Sequence, residues 1–328
     1  MIILGIETSC DETAVSVVKD KNIILSNSIY SHIPAHQKKG GIIPDVSSRL
    51  HAEKINHLID ISLKDAGCLF SDLSAVAVTN GPGLEGCLLV GVSAAKAIAY
   101  SCNIPLIPIN HLKGHIYSLF LSKETTPPFP FINLLISGGN TLLCLVKNHD
   151  DISMIGTTRD DAVGEAFDKI GRYMGLDYPA GPTIERLAKT HNGNLINFPK
   201  PLIYEGLDFS FSGLKTAVIR YIQAHPDTQK EVICASLQNT ISELLIYKSL
   251  KACKTYNCHH LAVNGGVSAN KTLKESLNTS CKLHGIKLYD CPPILCTDNA
   301  AMIACAAFYE KDKFISPITC SVDSNATL

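Results

Sequence analysis

The 328 residues are 46% hydrophobic and 18% charged, which excludes global disorder and provides for about two cores at roughly 150 residues each. Thirty acidic residues against 29 basic ones leave a formal charge of -1, too little for a protein that coats nucleic acid, although a local basic strip could still hold RNA. The 13 cysteines are scattered without a Cys-x-x-Cys pair, several in apolar runs (Cys87, Cys144, Cys305), and with no signal peptide and no apolar run near the roughly 20 residues of a membrane span the expected setting is a reducing cytoplasm.

The chain opens on an apolar strand over 1–6 that runs into Glu7, Thr8, Ser9, Cys10, Asp11, Glu12 and Thr13. Strand 14–18, a charged turn over 19–22 and strand 23–25 complete a meander. Its first hairpin is unusually rich in side chains that exchange hydrogen bonds, read either as a site or as ordinary turn chemistry. Lys38 and Lys39 precede a Gly40-Gly41 loop, and a long helix follows from about Val46 with Ile55, Leu58 and Ile59 on one face. Residues 75–78 form a short buried strand, and Asn80, Gly81, Pro82, Gly83 and Leu84 turn the chain into a helix running to about Tyr100. Glycines at such a turn free N–H groups for an anion at the helix N-terminus, or let the helix pack closely on its sheet. The Gly-Lys-Ser/Thr ending of a P-loop is absent.

After the apolar run 104–109 come His111 and His115. Four residues apart, they lie one turn from each other on one helix face. Two imidazoles so placed can share a metal if a carboxylate or thiolate arrives from elsewhere, and the best supplier is Asp298, where a polar loop opens an Ala-rich helix. The alternative is a pair of surface histidines. No glutamate follows His111, so the zinc-protease pattern His-Glu-x-x-His fails.

A linker with three prolines over 125–130 leads to strand 131–136, a Ser137-Gly138-Gly139-Asn140-Thr141 hairpin and strand 142–146. Strand, polar hairpin and strand thus recur, which predicts two similar α/β domains facing across a cleft, over 1–128 and 129–328, with the last helix packing back on the first domain. In such folds a nucleotide's phosphates sit between the hairpins, and glycines at 138 and 139 let the backbone approach phosphate. Further on, 164–169 is helical, 178–182 breaks the helix, 209–215 opens the next helical run, and 263–270 is a second glycine turn. The polar segment 316–328 is expected to be loose.

Together the stretches 5–13, 40–51, 80–96, 111–115, 137–141, 160–182, 209–217, 264–270 and 296–304 resemble the tRNA N6-adenosine threonylcarbamoyltransferases of the bacterial TsaD type, long described as O-sialoglycoprotein endopeptidases. The likeness runs nearly end to end, and its order and spacing make it specific. It implies the actin-like ATPase (ASKHA) fold, built of two duplicated RNase H-like domains around a nucleotide cleft. The activity implied is transfer of threonylcarbamoyl from threonylcarbamoyl-AMP to the N6 amine of adenosine 37 in tRNAs reading codons that begin with adenine. Residue by residue, the resemblance makes His111, His115 and Asp298 ligands of one divalent metal, with Fe(II) expected before Zn(II). It assigns Leu135, Ile136, Ser137, Gly138, Gly139, Asp168, Gly181, Glu185 and Asn270 to the donor pocket, and Asp11 and Glu12 to the acidic pair of the active site. Its implied partners are tRNA, a paralogous actin-like subunit of the TsaB type and a small ATPase of the TsaE type, with no membrane.

Several positions depart from the family's pattern: Lys113 and Asp45 stand where Glu is usual, Asn140 where His is usual, and Ala180 and Ala300 where Gly is common. Lys113 reads either as added positive charge near the metal or as a solvated helix residue. Lys38 and Lys39 are expected to help hold tRNA, and the helix from Val46 either exposes apolar residues to a partner subunit or only packs on its own sheet. The competing reading is a metal-dependent peptidase (glycoprotease), which lacks the helix-borne general base. A kinase of the same fold would have no use for the histidine pair, and a non-catalytic scaffold would not keep the ligands.

Overall fold

In the computed structural model, which describes residues 1–37, 40–122, 124, 126–310 and 316–328, two units of like topology follow from the two meanders. One comprises Met1–Thr126 with Cys291–Leu328, the other Pro127–Asp290. The first unit begins with β1 (Ile2–Glu7), β2 (Glu12–Lys19) and β3 (Ile23–Ser31), continues through α1 (Ile33–Gln37), α2 (Pro44–Ala66), β4 (Ala75–Gly81) and α3 (Glu85–Cys102), and reaches β5 (Leu106–Asn110) and α4 (His111–Tyr117). The sheet order is β3-β2-β1-β4-β5. The first three strands are antiparallel, and β4 and β5 run parallel to β1. Parallel strands need long crossovers, supplied here by α2 and α3. One edge of the sheet therefore collects the carboxyl ends of β1, β4 and β5, where Glu7, Gly81 and Asn110 emerge.

The second unit repeats the plan with β6 (Phe131–Ile136), β7 (Thr141–Val146) and β8 (Ile152–Thr157), then α5 (Val163–Tyr173), α6 (Gly181–Ala188), α7 (Ser212–Ala224), α8 (Lys230–Thr255), β9 (His260–Asn264), α9 (Lys271–Leu283) and β10 (Lys287–Asp290). Its order, β10-β9-β6-β7-β8, is again a meander flanked by two parallel strands. Asn133 and Asn264, wholly buried on neighbouring strands, exchange amide hydrogen bonds, which satisfies groups that would otherwise be costly there. Lys248 is also fully buried, and its ammonium donates to the carbonyls of Leu202, Glu205 and Gly206.

The chain then returns to the first unit through α10 (Pro293–Cys296) and α11 (Ala300–Ala307). Every residue of α11 is buried. It lies so close to β1 that a Cβ on Gly5 would come within 2.3 Å of the Ala300 carbonyl oxygen.

Three expectations change or narrow. Ile55, Leu58, Ile59 and Leu63 of α2 are buried in the core of the first unit, so that helix spends its apolar face on its own sheet, whereas α3 exposes Leu89 and Tyr100. By length and composition α3 could cross a membrane, but one face of it, with Cys87, Leu88, Gly91, Val92, Ala95 and Ala99, is buried in the unit. Second, the glycine turn at 81–83 is filled by protein. Gly83 N–H donates to Ser324 and Leu84 N–H to Ser9, and a Cβ on Gly81 would lie 1.8 Å from the Asp323 carbonyl oxygen. Third, the segment from Cys320 onward is docked: Cys320 is 3% exposed and belongs to the core. Lys38, Lys39 and the linker's Thr125 lie outside the described residues.

Candidate metal centre and substrate loop

Asn110 ends β5 and caps α4, its Oδ1 accepting from the N–H groups of Leu112 at 2.9 Å and Lys113 at 3.2 Å. The cap starts a helix that places His111 and His115 side by side, with ring centroids 4.7 Å apart. Asp298, just before α11, completes the group. Its Oδ1 is 3.1 Å from His115 Nε2 and 3.7 Å from His111 Nε2, and one ligand atom from each of the three residues lies within 4.8 Å of the others. Both histidines are buried.

A residue that sequence reasoning left unassigned organises this group. Glu7, the last residue of β1, is completely buried, and its Oε2 lies 3.1 Å from His111 Nδ1. Ser9 N–H and the Thr79 hydroxyl donate to the same carboxylate, and Ser9 Oγ is 3.2 Å from His111 Nδ1. The carboxylate turns the imidazole so that Nε2 faces Asp298, an arrangement that orients metal-bound histidines generally. The available signal was a carboxylate ending an otherwise apolar strand.

The electrostatics favour a cation between these carboxylates. Burial opposes a charge on His111, yet Asp298 and Glu7 hold its imidazole up at about 9. Burial likewise opposes the charge on Asp298, which His111 and His115 bring down to about 2. Two imidazole nitrogens and one carboxylate form a donor set suited to a divalent transition metal with positions left open. The residues fit a metal.

Asp11 and Glu12 lie on the same hairpin, Glu12 opening β2. Burial, then the Asp11 and Asp298 carboxylates, push the Glu12 carboxyl well above its usual range. Lys113 is neither solvated nor a free positive charge near the histidines, because its ammonium pairs at 2.6 Å with Glu310, itself 8% exposed.

The remaining predicted residues belong to the second unit. Leu135 and Ile136 are wholly buried in β6, so their side chains serve the core and only their backbone is available to a ligand. Ser137 and Asn140 close the hairpin through Ser137 N–H to Asn140 O and Asn140 N–H to Ser137 Oγ. A Cβ on Gly138 or Gly139 would meet nothing within 4 Å, and neither glycine has a positive φ. The chain's own packing therefore gives no reason for glycine at either position. Gly164, by contrast, is demanded by packing, since a Cβ there would lie 2.6 Å from the Ser137 carbonyl oxygen.

The other four predicted residues lie on α5, on α6 and at the start of α9. Asp168 accepts from Ala180 N–H at 2.7 Å, fixing the start of the helix at Gly181. Glu185 accepts from Thr272 N–H at 3.1 Å and from Lys189 at 2.7 Å. Asn270 caps α9 through Leu273 N–H and donates to Gln238 at 2.8 Å. Glu185 and Asn270 thus have structural work within the unit, while a side chain at Gly181 would again meet nothing within 4 Å.

The family model for tRNA N6-adenosine threonylcarbamoyltransferase (TsaD) matches residues 23–305. A protein of that name from Staphylococcus epidermidis is 49% identical over 313 residues, covering 94% of this chain and 91% of its own length. One from Staphylococcus aureus is 48% identical over 316 residues, with the same coverages. Among solved structures, HypF from T. kodakarensis superposes with a TM-score of 0.63 at 12% identity over 96% of this chain and 49% of its own. The (R)-2-hydroxyglutaryl-CoA dehydratase component A of Acidaminococcus fermentans gives 0.58 at 14% identity over 95% and 98%. Those two likenesses show the actin-like ATPase fold. The sequence matches go further: the chain belongs to the tRNA N6-adenosine threonylcarbamoyltransferase family, TsaD.

Proposed function

We propose that the chain transfers a threonylcarbamoyl group from threonylcarbamoyl-AMP to the N6 amine of adenosine 37 in tRNA, with His111, His115 and Asp298 holding one Fe(II) ion. Family membership carries the transferase activity on tRNA, and the buried His111–His115–Asp298 group, oriented by Glu7, is the observation that supports the metal. The two-histidine, one-carboxylate set is compatible with Fe(II) or Zn(II), and the family resemblance puts Fe(II) first. The reaction joins the amine nitrogen to the carbamoyl carbon, breaks that carbon's bond to the phosphate oxygen and releases AMP and a proton. AMP is a good leaving group from a mixed anhydride, whereas the exocyclic amine is a weak nucleophile, so catalysis rests on position and charge.

When bound, the metal supplies a Lewis acid for oxygen atoms that gain charge. The chain's residues do the rest. The backbone from Leu135 to Gly139 receives the adenylate, with Gly138 and Gly139 leaving room for phosphate. Asp168 sets the N-terminus of α6 beside Gly181, while Glu185 ties α6 to α9 and Asn270 ties the start of α9 to Gln238 of α8. Glu12, with its raised proton affinity, takes the proton lost by the amine, and Asp11 keeps that affinity high. A peptidase would want a carboxylate base after His111, where Leu112 stands.

The partners of this reading are a TsaB-type subunit, docked on the exposed Leu89–Tyr100 side of α3, and a TsaE-type ATPase. The 13 cysteines form no disulfide, which supports a cytoplasmic setting. The test is to incubate purified chain with threonylcarbamoyl-AMP and tRNA, with and without the partner subunits, and to measure threonylcarbamoyladenosine in the digested RNA. Unmodified tRNA under every condition would overturn the reading.

A further inference from the structure

Helix α4 is seven residues long, too short to stand on its own hydrogen bonds, so it depends on its buried face, which lies against Ile303 of α11, and on its N-cap. Its N-cap, Asn110, sits immediately before His111. The side-chain amide of Asn110 is planar, so its donor and its acceptor turn together. The acceptor caps α4, and the donor is held 3.0 Å from the Thr327 carbonyl oxygen.

Thr327 follows a turn at 323–326, closed by Ala326 N–H donating to the Asp323 carbonyl at 3.2 Å and Asn325 N–H donating to Asp323 Oδ1 at 3.1 Å, in a segment that crosses the ends of two neighbouring strands. Asp323 N–H donates to the Asn80 carbonyl at 2.8 Å, and Gly83 N–H donates to Ser324 at 3.3 Å. Gly81 and Asn110 are partners in the register of β4 and β5, so the segment passes from one strand end to the next. It is seated closely: a Cβ on Gly81 would meet the Asp323 carbonyl at 1.8 Å and Ala326 Cβ at 3.1 Å. Cys320 and Val322 anchor it in the core upstream.

We infer that residues 323–327 form a positioning strap for the metal centre: by fixing the Asn110 amide, they set the N-cap of α4 and with it the direction in which His111 and His115 present their nitrogens. The strap adds no ligand. Its work complements that of Glu7, which orients the His111 ring from the opposite nitrogen while Thr79 of β4 holds Glu7. Imidazole direction is thus governed from two sides, by a buried carboxylate and by a backbone carbonyl far along the chain. This inference rests on the metal reading above.

Two variants of the full-length protein test it. One is shortened to end at Ser324, which keeps the bonds to Asn80 and Gly83 and removes Thr327. The other is Asn110→Ser, which retains a good N-cap but has no amide to reach the strap. Co(II) is the probe, with its affinity measured by chelator competition and its visible spectrum reporting ligand geometry. Both variants should bind Co(II) about tenfold more weakly, as metal sites do when a ligand's orienting partner is lost, with an altered visible band. Their metal-free melting temperatures should stay close to that of the full-length chain. The double variant should lose no more than either single one, because both break the same contact. Unchanged Co(II) affinity and spectrum in the shortened chain would reduce the strap to surface packing. A full-length chain that binds no Co(II) would overturn the metal reading itself, and this inference with it.

Discussion

The hairpin between β1 and β2 and the hairpin between β6 and β7 hold the same place in two sheets of the same strand order, yet they are built in opposite ways. The first is dense with side chains. Glu7 is buried among Ser9, Thr79 and His111, and Thr13 is hydrogen-bonded to both His32 and His51. The second is nearly bare, with two glycines whose missing side chains would touch nothing. A duplicated frame therefore offers two kinds of surface at one position: buried charges gathered around Glu7 in the first, and bare backbone at Gly138 and Gly139 in the second. In the first, specificity lies in side chains; in the second, in their absence.

The comparison breaks most visibly if the charged hairpin does not depend on its charges. Asp298→Ala should strip bound metal and lower transfer by at least about a thousandfold, the several kcal/mol that a bound Lewis acid contributes. Elemental analysis that finds full metal occupancy in that variant would remove Asp298 from the site. Glu7→Gln keeps the shape but loses the charge facing His111, and its single carbonyl oxygen accepts from only one of the two donors, Ser9 N–H and the Thr79 hydroxyl, that the carboxylate serves. Metal affinity should fall roughly 10- to 100-fold, and an unaltered affinity would show that ring orientation does not depend on Glu7.

The bare hairpin is probed by addition. Gly138→Val should weaken threonylcarbamoyl-AMP binding by about tenfold, close to 1.4 kcal/mol, while thermal unfolding stays as it was. Normal affinity in calorimetry would mean that no phosphate passes there.

The smallest effect concerns acid stability, and it should follow the histidines of the first unit. Burial, then the neighbouring His51, His36 and Lys54, bring His32 down from 6.5 to about 4, and burial also lowers His51. A neutral folded histidine contributes stability that is complete above its unfolded pKa and is lost as pH falls from 6.5 toward 4. The drop in melting temperature between roughly pH 7 and pH 5 should be smaller in His32→Gln. An equal drop in both proteins would place the acid-sensitive group elsewhere.

Much of this was legible in the residues. The spacing of His111 and His115, the lone carboxylate at Asp298 and the recurrence of strand, polar hairpin and strand are local patterns, and local patterns survive folding. What stayed hidden is of three kinds. Helix α8 carries a nearly unbroken buried run from Ile233 to Gln238, so no apolar stripe of helical period distinguishes it. Strand β8 is an edge strand with Ser153 and Met154 exposed, and shows little apolar patterning. Long-range partners make up the rest: Lys113 finds Glu310, Gly81 makes room for Asp323, and Asn110 meets Thr327. Nothing local announces those pairs. Glu7 lies between the kinds, since its position at a strand end was visible and its partner was not.

The return of the chain through α11 has a temporal side. The second unit is one continuous stretch, Pro127–Asp290, so a nascent chain has all of it before the last pieces of the first unit leave the ribosome. Until those pieces arrive, β1 has no α11 against it, and His111 and His115 lack Asp298. Asn110 and Thr327 are 217 residues apart, so the contact between them comes later still. Domains form as units during synthesis when their sequence is contiguous, and contacts this distant in sequence form slowly. The group formed by His111, His115 and Asp298 therefore comes together only after the whole of the second unit has been made.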